Sequence, residues 1–146
     1  MGAMTDYLEN KLIDQLFRNQ AYTFPSTLYI ALFTANPTDT SGGTEATGGS
    51  YARVAVTNSL ANWAGTQSAG STTASSGTGG TTSNNATITF PTPTANWGTV
   101  TGMAVMDASS AGNMLFYSAL TVSKTVNNGD PAPVFAIGDL TFQIDN

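Results

Sequence analysis

The sequence contains no cysteine, no histidine and only four lysines or arginines among its 146 residues. Each absence removes a class of function. Without cysteine there is no thiolate nucleophile, no disulfide and no zinc–sulfur site; without histidine the commonest general base and transition-metal ligand are missing. Charged residues make up 9% of the chain, against roughly 25% in an average domain. Nine acidic side chains against four basic ones leave a net charge of −5. That balance argues against nucleic-acid binding, which needs clustered Lys and Arg to displace phosphate counterions. No apolar run is long enough for a membrane-spanning helix, so no membrane partner is expected. The first residues lack the basic-then-apolar layout of a signal peptide, and the missing disulfides fit synthesis in a reducing cytoplasm. No cofactor is expected, and the chain reads as a non-enzyme.

What is abundant is Ser and Thr, 37 residues together, with 15 Gly. A chain of this length is sized for one domain with a real core, so residues 1–146 are read as a single unit. Residues 5–18 carry the one convincing helical pattern. Leu8, Leu12 and Leu16 recur every four positions, with Ile13 and Phe17 one place on, as a single apolar stripe. Asp6 and Glu9 form an acidic version of the capping box and favour the positive end of the helix dipole. A lone short helix is unstable, so its stripe must dock, either on the chain's own β core or on another subunit.

After Gln20 the pattern is β. Thr27–Phe33 is apolar on both faces, as in a central strand covered on both sides. Ala52–Val56, Asn85–Phe90, Thr99–Met106, Leu115–Leu120, Lys124–Val126, Val134–Ile137 and Leu140–Ile144 complete about eight strands separated by Gly, Asn, Asp and Pro turns. Within Thr99–Met106, alternation puts Val100, Gly102, Ala104 and Met106 on one face. The expected fold is mainly β, a β-sandwich or jelly-roll-like domain with a short N-terminal helix. Residues 37–50 and 66–83 read as long polar surface loops. The second has 11 Ser or Thr among 18 residues and nothing to bury.

Chemistry is harder to find. Asp107, Asp130, Asp139 and Asp145 are the carboxylates available for acid–base work on a glycosidic bond, but their turn and strand-end contexts account for them. Asp39, Glu45 and Asn127-Asn128-Gly129-Asp130 offer oxygen ligands without the spacing of a calcium loop. No catalytic, cofactor-binding or metal residues are assigned. Trp63 and Trp97 stand in an echoed context, Ala61-Asn62-Trp63-Ala64-Gly65 and Ala95-Asn96-Trp97-Gly98. They read as buried anchors of two loop-to-strand junctions, the alternative being aromatic anchors at an interface. The candidate packing or interface residues are thus Leu8, Leu12, Ile13, Leu16, Phe17, Trp63 and Trp97.

Three stretches carry a family resemblance: Tyr7–Leu12 through Thr27–Thr34, then Gly49-Ser50-Tyr51-Ala52-Arg53, then Asn113–Thr121 with Ser123-Lys124-Thr125-Val126-Asn127-Asn128-Gly129-Asp130. The chain resembles small structural proteins of tailed bacteriophages and prophages, often labelled phage tail fibre proteins, with similar small β proteins serving as capsid decoration or cement. The resemblance implies a virion component and transfers no catalytic residue. A fibre shaft would show long repeats or coiled-coil heptads, and neither is present. The sequence therefore favours a capsid decoration protein binding the head shell in many copies, with the major capsid protein as partner. A tail fibre or tail-tip protein with tail partners is the alternative. Either way a homo-oligomer, guessed as a trimer, is expected.

Overall fold

The computed structural model describes residues 2–40, 42–66 and 73–144. Along these residues run β1 (Ala3–Met4), α1 (Asp6–Phe17), β2 (Thr27–Ala35), β3 (Thr44–Glu45), β4 (Val54–Thr57), β5 (Thr81–Ser83), β6 (Ile88–Thr89), β7 (Gly98–Met106), β8 (Met114–Val126), β9 (Val134–Phe135) and β10 (Thr141–Gln143). The two-faced apolar run became β2 and lies inside a six-stranded antiparallel sheet. The order is β1-β8-β7-β2-β3, with β4 pairing β2 beside β3. Facing this sheet are two antiparallel ribbons, β5–β10 and β6–β9. The domain is mainly β with one N-terminal helix, and its second layer is two short ribbons rather than one continuous sheet.

The alternation along β2 explains both layers. Ile30 and Leu32 join Val100, Met103, Val105 and Val126 from the sheet and Ile88, Phe90, Leu140 and Phe142 from the ribbon side in the main core. Ala31 and Phe33 join Ala104 and Met106 in a smaller cluster on the opposite face, with Tyr29, Met114 and Tyr117 against it. Each fully buried large side chain contributes about 1.5–3 kcal/mol, so the main core of thirteen buried residues outweighs what Leu8, the buried residue of the helix, adds.

Several expectations need correction. Leu115–Leu120 and Lys124–Val126 belong to one strand, β8, of 13 residues. The alternation assigned to Thr99–Met106 breaks at a bulge between Val100 and Gly102. The irregularity there places Val100 in the core with Met103 and Val105, away from Ala104 and Met106. The loop 37–50 contains β3 and the buried Ala46. The loop 66–83 ends in β5, which pairs with β10; its residues 67–72, like Ser41 and Asp145, lie outside the described residues. A run of Thr and Ser has the same polar look in a loop and in an edge strand, which is why β5 was hidden.

Candidate assembly surfaces

The helix is anchored at its start. Its N-cap is Thr5 rather than Asp6: the Thr5 hydroxyl accepts from Leu8 N–H at 3.5 Å and donates to the Met114 carbonyl at 2.6 Å. One buried residue therefore caps the helix and ties it to β8. Asp6 and Glu9 occupy the first turn. Leu8 is buried and Leu12 half-buried, but Leu16 is 71% exposed and Phe17 81%, with Ile13 also exposed. The expected single stripe winds off the domain because residues four apart advance by about 40°. Phe17, nine residues past Leu8, points about half a turn away from it. Asn19 then adopts a left-handed conformation, and Tyr22 returns alongside the helix, donating its N–H to Gln15 Oε1 at 2.7 Å and meeting the Tyr7 ring edge-on at 6.4 Å.

The second surface is a cleft of about 390 Å³ between the later half of β8 and the chain from Pro133 to Phe142. It exists because β8 leaves its neighbour: Ala119 pairs with Gly102 and Lys124 with Val100, so five residue steps of β8 face two of β7. Leu32, Val100 and Met103 line it together with Leu120, Phe135 and Leu140. Val122 and Val134 are exposed, and Lys124 and Asp139 add one charge of each sign.

Tyr51 and Arg53 of the Tyr-Ala-Arg stretch form a structural clamp. Arg53 is 8% exposed at its side chain. It grips Glu45 through two parallel bonds, Nε to Oε1 at 2.9 Å and Nη2 to Oε2 at 2.8 Å, while Nη1 donates to the carbonyls of Ala108 and Ala111. Tyr51 donates to Glu45 Oε1 at 3.0 Å, and its oxygen accepts from Leu32 N–H. Burial works against the Glu45 charge, but the hydrogen bonds from Arg53 and Tyr51 outweigh it and hold its carboxyl below the usual range. Burial foremost raises the Tyr51 phenol well above its ordinary value. Glu45, weighed as a calcium ligand from sequence, is thus an arginine partner.

The other carboxylates serve turns. Asp107 accepts from Asn113 N–H at 2.7 Å and from its side-chain amide at 2.8 Å, locking the β7–β8 turn, where Gly112 takes the positive φ that its hairpin position requires. Asp130 accepts from Asn127 N–H and Asp139 from Ala136 N–H, both at 2.7 Å. Among the described residues no group of three or more acidic side chains could hold a metal. Trp97 is 3% exposed and meets Tyr51 edge-on at 5.2 Å; Trp63 is half-buried against Phe142 at 6.0 Å. Both belong with the main core. The structure separates the seven candidate residues: the tryptophans and Leu8 lie inside, Leu12 is half-buried between, and Ile13, Leu16 and Phe17 lie outside. Sequence spacing did not reveal the cleft, since it opens only where the register of β8 on β7 shifts.

A search of curated proteins gives no match to the chain. A family model described as Podophage GP4 fiber I protein gp80 matches residues 3–143. That match spans the helix, the sheet and both ribbons, and the chain belongs to this family and with it to the fibre-type structural proteins of phage virions.

Proposed function

We propose that the protein is a non-catalytic fibre subunit that works by packing against other virion proteins, further copies of itself included. The observation that carries this reading is the exposed apolar end of α1. Leu16 and Phe17 face solvent on a domain whose other large aromatic residues are mostly covered, and exposed apolar groups of this kind mark contact surfaces. The carboxylates support a structural role, since Asp107, Asp130 and Asp139 are engaged by turn donors and Glu45 by Arg53. Capsid decoration is the second reading. It is favoured by the small body without shaft repeats or heptads, a shape suited to binding a lattice in many copies. Gold labelling of purified virions with an antibody to the protein, combined with copy counting, separates the two. The fibre reading expects label at the tail and tens of copies. Label over the head shell with hundreds of copies would overturn it in favour of decoration.

A further inference from the structure

We infer that copies of this chain join head to tail, the end of α1 in one copy seating Phe17 and Leu16 in the β8 cleft of the next. The inference rests on the fibre reading, because it names the partner that reading requires. Three observations on the molecule support it. The first is size. A cavity of about 150 Å³ already accepts benzene, so a cleft of about 390 Å³ holds the Phe17 ring and the Leu16 side chain. Both are presented on one turn of helix and are among the most exposed apolar residues described.

The second is charge. Asp14 and Arg18 flank Phe17 on the helix, joined by an exposed pair at 3.0 Å. Lys124 and Asp139 stand at the cleft. Seating the helix end with Asp14 toward Lys124 and Arg18 toward Asp139 matches both signs at once. Such rim charges orient the contact more than they strengthen it.

The third is symmetry. Two helix ends packed on each other would form an isologous contact, which closes as a dimer and leaves the cleft empty. A knob on one surface and a hole on another form a heterologous contact, which closes as a ring or continues as a filament. A fibre built from a domain of this size needs such repetition. Two side chains seated in one cleft make a contact smaller than a standard specific interface. Self-association is therefore expected to be weak and concentration-dependent.

The test is sedimentation-based mass measurement across a concentration series, using the full chain and five variants. Phe17→Ser should lower self-association at least tenfold while leaving the melting temperature unchanged, because Phe17 makes no core contact. Leu60→Ser, an exposed apolar change elsewhere, should leave both unchanged. Asp14→Lys and Lys124→Glu should each weaken association, and the double variant should restore it. A native chain that remains monomeric up to about millimolar concentration would overturn the inference. So would loss on Phe17→Ser with no recovery in the charge-exchanged double variant, which would point to helix–helix pairing. Neither result bears on virion labelling, so the fibre reading stands or falls separately.

Discussion

Asn84 is completely shielded from solvent, yet both ends of its side-chain amide are engaged. Its Nδ2 donates to the carbonyls of Ala86 and Ala136 at 2.9 and 2.7 Å, and its Oδ1 accepts from Leu140 N–H at 2.9 Å. Its backbone adds a donated bond to the Leu140 carbonyl and an accepted one from Gly138. One residue thereby joins the segment between the β5 and β6 strands to the turn between β9 and β10. Aspartate has no donors to offer there, and leucine has neither donor nor acceptor. A net hydrogen bond contributes about 1 kcal/mol, and each buried partner left without one costs about 1–3 kcal/mol. Asn84→Ala should therefore lower unfolding free energy by about 3 kcal/mol or more, measured by urea denaturation. Asn85→Ala loses a single 3.3 Å bond to the Leu60 carbonyl and should cost under about 1 kcal/mol. Equal losses at the two positions would refute the central role of Asn84.

Among the elements, the Arg53 clamp joins pieces that the sheet alone leaves loosely attached. β3 is two residues long, β4 is four, and the β7–β8 turn projects beyond the ladder; Arg53 holds the first and last of these from the start of the second. The Glu45 carboxyl titrates lower in the folded than in the unfolded chain, so the folded state binds fewer protons. The clamp's stabilisation is complete above the ordinary carboxylate value and is lost as pH falls through the lower, folded one. Glu45→Gln should flatten the acid limb of stability between about pH 5 and 2, read from urea midpoints at each pH. An acid limb as steep as in the native chain would exclude Glu45 as its source. The sequence showed Arg53 and Glu45 only as one cation and one anion eight residues apart. Their meeting depends on β3 and β4 sharing one edge of β2, a long-range fact. By contrast β2 was legible because burial on both faces leaves an unbroken apolar run, and α1 because its spacing repeats locally. The same spacing concealed how far the stripe turns away from the sheet by Phe17. Asn84 was hidden too, because a buried asparagine and a turn asparagine look alike until their partners are placed.

In the molecule as a whole, distant parts of the chain are interleaved. β1, at the start, pairs with β8 through Ala3↔Tyr117 and Met4↔Phe116, and Gly2 bridges Phe142 on the last strand. The main core draws side chains from the sheet and from both ribbons without a gap between them. Such a body should unfold as one unit, as small single domains usually do, and should hand force from the helix end to the cleft without yielding in between. The two tryptophans make this testable because they report from different regions. Trp97 donates its backbone N–H to the Val126 carbonyl and packs on Tyr51 at the sheet, while Trp63 bridges Asn84 and packs on Phe142 at the β5–β10 ribbon. Trp63→Phe leaves the sheet probe alone, and Trp97→Phe leaves the ribbon probe alone. Within each variant, tryptophan fluorescence and far-UV circular dichroism should give one urea midpoint. A ribbon probe that melts well before the circular dichroism signal, in the variant retaining Trp63, would show that the ribbons form a separately unfolding layer and that the rigid subunit is the sheet alone.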